Sequence, residues 1–324
     1  IILGSETAST LSSRGVYKFP VERRSMAKYD DNQASSYDVE HCGWSNLPED
    51  DWIWHDDFTW SIGEFVWTGF DYLGEPTPYY SDWPSHSSLF GIIDLAGLPK
   101  DRYYLYRSHW NTEAETLHIL PHWTWPGREG EVTPLFVYTN YPSAELFING
   151  VSQGIRTKDM SMTAEGTWEE QETATSFKRQ QRYRLMWFDT KYEPGTVRVV
   201  AYDDEGNAVA EEEIRTAGAP HHLELEADRS TIKADGKDLA FVTVKVVDAN
   251  GNLCPNAQHL VKYSVKGEGK YRAGANGDPT SLELFHVPQM KVFNGMMTAI
   301  VQSSEQAGDI TLTATAKGLK SAKI

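Results

Sequence analysis

The 324-residue sequence lacks the features by which several classes of protein declare themselves. It has only two cysteines, Cys42 and Cys254, far apart in the chain, which excludes a disulfide framework and a cysteine metal site. No stretch approaches the roughly 18 apolar residues of a membrane-spanning helix, so membrane insertion is not expected. Positive charge is scarce: 30 Lys and Arg stand against 46 Asp and Glu, a net charge of -16. That balance argues against nucleic acid or an anionic membrane surface as a partner. There is no G-x-G-x-x-G and no P-loop, hence no recognisable nucleotide site. The opening Ile1-Ile2-Leu3-Gly4-Ser5-Glu6 lacks a Met, a basic segment and a long apolar core, so it does not read as a signal peptide. It reads as a cut through the middle of a domain.

Aromatic residues, by contrast, are plentiful: 11 Trp, 16 Tyr and 12 Phe supply ample surface to bury and exclude disorder throughout. They are unevenly spread, all the tryptophans lying before residue 188. Charge is uneven too. Residues 220–324 are almost neutral, with 12 basic and 11 acidic residues, whereas residues 1–219 carry 18 and 35. Two composition regimes imply at least two domains, and the length suits two or three. The acidic, aromatic part is the expected seat of ligand chemistry.

Along the chain, Ile1–Leu3 reads as a short buried strand ending in a turn. A long polar stretch runs from Thr7 to about Asp51. Aromatic spacing from Trp52 to Ile62 is roughly helical, Glu64–Tyr72 reads as a strand entering a Gly-Pro loop, and Lys100–Trp110 as a short helix. From about residue 112 the texture turns to β. Strands are expected at Leu117–Ile119, Leu135–Tyr138, Ala144–Ile148, Tyr183–Phe188 and Thr196–Tyr202, with a hairpin at Asn149-Gly150. Such close spacing suggests a β-sandwich. After a linker at Thr216–Pro220, strands at Leu223–Glu226, Ala240–Asp248, Val261–Val265, Met296–Val301 and Ile310–Ala316 form a second β module.

Few residues are placed to do chemistry. Glu6 follows an apolar strand directly, where a barrel or an α/β sheet puts its working groups; a solvated turn glutamate fits the same position. Trp67, Asp71 and Glu75 follow the second strand. An aromatic face beside carboxylates suits a sugar, the ring covering the C–H face while the carboxylates accept from hydroxyls. Core packing by Trp67, with Asp71 as a cap, is the alternative. Trp44, Trp52, Trp54, Trp60 and Trp83 line a cleft or pack. His118 and His122 are four apart, but in a β segment this spacing separates them, and no carboxylate motif accompanies them. No metal or other cofactor is called for.

These residues stand in longer strings. Ile2-Leu3-Gly4-Ser5-Glu6-Thr7-Ala8-Ser9-Thr10, with Ser12-Ser13-Arg14-Gly15-Val16-Tyr17, resembles the nucleophile segment of glycoside hydrolase family 2, in particular the β-galactosidase-type enzymes of Bacteroidetes. Phe65–Tyr79 resembles that family's last barrel strand and loop, and Phe90–Asp101 the run into the closing helix. Tyr141–Gly150 is similar to the signature of the sandwich that follows, and the last module to an invasin-like immunoglobulin domain. The resemblance implies three parts: residues 1–111 as the C-terminal portion of a (β/α)8 TIM barrel, then two all-β immunoglobulin-like sandwich domains at 112–217 and 218–324. It implies Glu6 as a catalytic nucleophile, Trp67 as the aromatic closing the sugar subsite, and Asp71 and Glu75 as further substrate-binding residues.

The expected function follows: the C-terminal part of a retaining exo-β-glycosidase, a β-galactosidase above all, acting on an oligosaccharide or glycoside at the periplasm or cell surface. One element of the family pattern is missing. The acid/base of these enzymes is the Glu of an Asn-Glu pair ahead of the nucleophile, and this sequence has no Asn-Glu pair. The segment alone is therefore expected to be inactive. The competing expectation is a non-catalytic carbohydrate-binding or adhesion protein built of sandwich modules. No motif specifies an oligomeric state.

Overall fold

A computed structural model describes residues 1–165 and 173–324. They form two compact units, one of residues 1–94 and 99–216, the other of 217–324 with 95–98. Strands dominate, and no helix among the described residues is long and apolar enough to cross a membrane.

The first unit begins with β1 (Ile2–Thr7), followed by the two-residue strands β2 (Thr10–Leu11), β3 (Arg24–Ser25) and β4 (Glu40–His41). Helix α1 (Pro48–Asp57), strand β5 (Ser61–Val66) and helix α2 (Asp101–Trp110) come next. β1 and β5 pair in parallel, Ile2 opposite Ser61 and Thr7 opposite Val66. Parallel neighbours need a crossover, and α1 supplies it. Pro48 opens α1, and Glu49, Asp50 and Asp51 fill its first turn, where acidic groups complement the helix dipole. The helix ends at Asp57, so the aromatics from Phe58 to Ile62 lie beyond it.

The burial expected of Ile1–Leu3 is not found. Ile1 is 94% and Ile2 58% exposed, because β1 pairs only with β5 and nothing among the described residues covers its other edge. The long polar stretch behaves in the opposite way. Ser9, Thr10, Ser12, Ser13, Ser35, Ser36, Asp38 and Glu40 are buried.

The same unit continues with β6 (Leu117–Leu120), β7 (Leu135–Thr139), β8 (Ser143–Ile148), β9 (Val151–Thr157), β10 (Leu185–Trp187), β11 (Thr196–Tyr202) and β12 (Ala208–Arg215). They make two sheets, β10-β7-β6 and β12-β11-β8-β9. Leu135 and Val137 of the first pack with Ala144, Leu146, Ile148, Val197 and Val199 of the second, around Trp123 and Trp187. Asn149 and Gly150 close the β8–β9 hairpin at φ +49° and +79°, the conformation a two-residue turn of this hand requires.

β7 is buried along its whole length because both of its faces are covered. Its alternate residues Phe136 and Tyr138 join Tyr37, Val39, Trp52, Leu105 and Tyr106 in a shared core. That shared core is why residues 1–94 and 99–216 make one unit, with no division near residue 111.

The second unit contains β13 (His222–Ala227), β14 (Leu239–Val247), β15 (Leu260–Gly267), β16 (Gly269–Ala275), β17 (Gln289–Lys291), β18 (Met296–Ser303), β19 (Ile310–Ala316) and β20 (Ala322–Lys323). Two four-stranded sheets, β13-β14-β18-β16 and β17-β15-β19-β20, enclose a core of Val242, Val244, Val246, Val261, Met297 and Leu312.

Candidate active site

Glu6 is exposed near the carboxyl end of β1. Its neighbour Thr7 lies opposite Val66, just past an irregularity in the β1–β5 register between Gly4 and Thr7. Trp67 continues from β5 at the same end. Its backbone N–H donates to the Thr7 carbonyl at 2.8 Å, and its peptide to Thr68 is cis. The indole is half-buried against a small core of Leu11, Ala34, Cys42, Tyr79, Leu89 and Phe90.

Trp67 meets Tyr72 edge to face at 6.1 Å. The Tyr72 hydroxyl donates to the carboxylate of Glu75, which sits at φ +47° on an exposed turn. Burial, then the bond to Glu75 and the negative charges of Glu75 and Glu6, push the Tyr72 phenol up to about 12. Tyr72 therefore stays protonated and acts as a donor. Glu6, Trp67, Tyr72 and Glu75 are thus gathered at one end of the parallel pair.

Asp71 takes a different place from the expected one. It is 8% exposed, and both carboxylate oxygens are used within the chain. Oδ1 accepts from the Gly91 N–H at 2.7 Å, and Oδ2 pairs with Lys100 Nζ at 2.7 Å. A Cβ on Gly91 would stand 2.1 Å from the Asp71 nitrogen, so only glycine lets the two backbones approach this closely. Burial raises the Asp71 carboxyl and lowers the Lys100 amine, each opposing the attraction between them. Asp71 is a brace beneath the site and is not free to bind a sugar hydroxyl.

The aromatics divide. Trp52 is fully buried, its N–H donating to Glu64 Oε1 at 2.8 Å. Trp54 and Trp60 both stack on Phe58, at 5.4 and 5.1 Å. Trp44 and Trp83 are exposed. The two histidines do not meet at a metal: His118 Nε2 pairs with Asp101 at 2.7 Å, while His122 stacks on Trp125 at 4.1 Å and is pushed down to about 4 by burial. Among the described residues no three His, Cys, Asp or Glu side chains are placed to hold a metal ion. A G-x-S-x-G spacing at Gly150–Gly154 falls in the β8–β9 hairpin, where a strand-to-helix turn would be needed for a nucleophile.

The chain is similar to known proteins in sequence and fold. The profile of "Glycoside hydrolase family 2 C-terminal domain 5" matches residues 223–324, and that of "Domain of unknown function (DUF4982)" matches residues 130–210. "Beta-galactosidase BoGH2A" of Bacteroides ovatus is 42% identical over 98% of this chain and 35% of its own length. The chain belongs to glycoside hydrolase family 2. A "Beta-glucuronidase" of Formosa agariphila is 26% identical over 72% of the chain and 21% of that protein. Among solved family 2 relatives, a β-glycosidase from Bacteroides vulgatus superposes with a TM-score of 0.83 at 29% identity, covering 99% of this chain and 41% of its own. A family 2 member from Bacteroides cellulosilyticus gives 0.68 at 29%, over 85% and 35%. The chain spans about a third or less of the length of these curated relatives.

Three residues close to Glu6 and Trp67 in the fold were not singled out by sequence reasoning. Tyr72 lies inside the Trp67–Glu75 string and could have been noticed as a hydroxyl between an indole and a carboxylate. Lys100 and Arg102 could not, since a charged pair opening a helix normally reads as its solvated end.

Proposed function

We propose that this chain works as the C-terminal part of a retaining exo-β-glycosidase, a β-galactosidase, with Glu6 as its nucleophile. In this reading β1, α1, β5 and α2 are the last two βα units of a (β/α)8 TIM barrel, and two immunoglobulin-like sandwiches follow. The exposed apolar residues Ile2, Leu3 and Phe65 would then face the rest of the barrel. The observation that carries the reading is the position of Glu6 at the carboxyl end of a parallel strand, the end at which barrels place their chemistry, beside the half-buried indole of Trp67.

Glu6 attacks the anomeric carbon as the glycosidic C–O bond breaks. A second carboxyl, about 5 to 5.5 Å away in retaining enzymes, gives its proton to the departing oxygen. That carboxylate then takes a proton from water as the water displaces Glu6. Trp67 covers the apolar face of the pyranose, and Glu75 with Tyr72 meets its hydroxyls. The second carboxyl comes from a longer polypeptide, since this chain holds no Asn-Glu pair. The setting is the periplasm or the cell surface, as the kinship with Bacteroides glycosidases suggests.

Treating the longer polypeptide with a 2-deoxy-2-fluoro-galactoside tests this. The expected result is a covalent adduct that peptide mapping puts on Glu6 and that Glu6→Gln removes. The purified 324-residue chain should leave a nitrophenyl galactoside intact. Robust turnover by that chain, lost in Glu6→Gln, would overturn the requirement for an outside acid/base.

A further inference from the structure

The guanidinium of Arg102 is fully buried at the start of α2 and touches no open surface. Its contacts join the two segments that carry Glu6 and Trp67. On one side Nη2 donates to the Ala8 carbonyl at 3.1 Å, and Nη1 donates to the Thr10 carbonyl at 3.1 Å. On the other side Nη1 donates to the Phe90 carbonyl at 2.6 Å. Ala8 lies two residues beyond Glu6 and is held at φ +48°, a conformation a side chain seldom adopts unless its surroundings impose it. The Phe90 carbonyl also accepts from the Thr68 N–H at 3.3 Å, and Thr68 is joined directly to Trp67. Nε faces Asp38 Oδ1 at 3.3 Å, an ion pair behind the fork.

Lys100 makes a parallel tie one step further from the site. Its ammonium reaches the Ser12 carbonyl at 2.6 Å, the Leu89 carbonyl at 3.2 Å and Asp71. Two buried cations from one helix start therefore hold the same two segments together.

We infer that Arg102 is a positioning residue, its fork setting the separation between the Glu6 carboxylate and the Trp67 ring. The inference rests on the reading of Glu6 as the nucleophile. An ammonium in the same place keeps the charge opposite Asp38 but lacks the planar fork whose two terminal nitrogens here serve Ala8 on one side and Thr10 with Phe90 on the other. A displacement of about 1 Å at a reacting group is enough to slow chemistry by roughly a hundredfold. Arg102 is sealed off from solvent, and Arg102→Lys, which keeps the charge, isolates the effect of the fork's geometry.

The test uses the longer polypeptide with Arg102→Lys and Arg102→Met. Active sites are counted by intact mass after labelling with a 2-deoxy-2-fluoro-galactoside, and kcat is expressed per labelled site. In Arg102→Lys most molecules should still be labelled. Both the labelling rate and kcat per site should fall by about tenfold or more, with KM changed much less. Arg102→Met should lower both further. If it does not fold, Arg102→Lys decides. Wild-type kcat per labelled site in Arg102→Lys, with only the labelled fraction or Tm reduced, would overturn the inference by showing a merely structural role. A wild-type protein that takes no label on Glu6 would instead overturn the nucleophile assignment beneath it.

Discussion

Asp51 shows how one carboxyl can oppose the element that holds it. It lies in the first turn of α1, where the helix dipole favours its charge, yet its Oδ2 is buried without a hydrogen-bond partner among the described residues. Burial, with the neighbouring charges of Glu64 and Asp50, pushes the carboxyl up to about 7 against a hydrogen bond from Asn46. A carboxyl raised in the fold favours the protonated state, so its contribution is complete below about pH 4. It is lost as pH climbs through 7. Asp51→Asn is expected to stabilise the protein at pH 8 by about 1–2 kcal/mol and to have no such effect at pH 4, as urea midpoints at the two pH values would show. Equal effects at both would refute this account. Glu6 and Trp67 could be picked out from the sequence because each follows a strand within a long string of matching residues. Asp71, Lys100 and Arg102 could not, because whether a charge is a solvated cap or a buried brace depends on residues such as Ala8, Thr10 and Ser12 that lie far away in the chain.

At the scale of elements, α1 owes its place to arginines more than a hundred residues later. Arg184 is fully buried, bonded to Glu49 through Nε and to the carbonyls of Tyr37 and Asp38 at 2.8 and 3.0 Å. Arg179 pairs with Asp50 at 2.8 Å and Arg182 with Asp57 at 2.7 Å, while the Tyr183 hydroxyl donates to Asp56 at 2.8 Å. Acidic residues from both ends of α1, Glu49 and Asp50 at its start and Asp56 and Asp57 at its close, are therefore one half of this polar seam. Arg184→Met leaves Glu49 charged and buried, and should cost about 3–5 kcal/mol. Adding Glu49→Leu should restore much of that loss, because the cost lies in the orphaned charge. Urea unfolding of the single and double variants checks this, and an unimproved double variant would count against it. Elements with a strong local pattern, such as α2, β8 and β11, could be read from sequence within a residue or two. β12 and β16 could not: Ala208–Arg215 carries three consecutive glutamates on an edge strand, and Gly269–Ala275 is glycine-rich and alternates only weakly.

For the whole molecule, the question is which lengths of chain possess a core of their own. The second unit does. Its buried cluster draws only on residues 223–314, and its two four-stranded sheets are internally complete. Residues 1–110 own only the small cluster of Leu11, Ala34, Cys42, Tyr79, Leu89 and Phe90, and their larger core is shared with later residues. Trp52, Leu105 and Tyr106 are buried against Leu120, Phe136, Tyr138, Phe177 and Tyr183, all beyond residue 110, and Glu49 has its partner in Arg184. Severing the chain there would expose that shared face and strand Glu49 without its cation. The isolated segment 217–324 is therefore expected to show dispersed amide resonances and one cooperative urea transition. The isolated segment 1–110 is expected to show collapsed amide dispersion and to be cut rapidly by protease at residues protected in the full chain, including the buried stretch Ser9–Ser13. A protease-resistant, well-dispersed 1–110 would mean that its own short strands and two helices suffice, and that the arginine seam is an addition to a fold already complete without it.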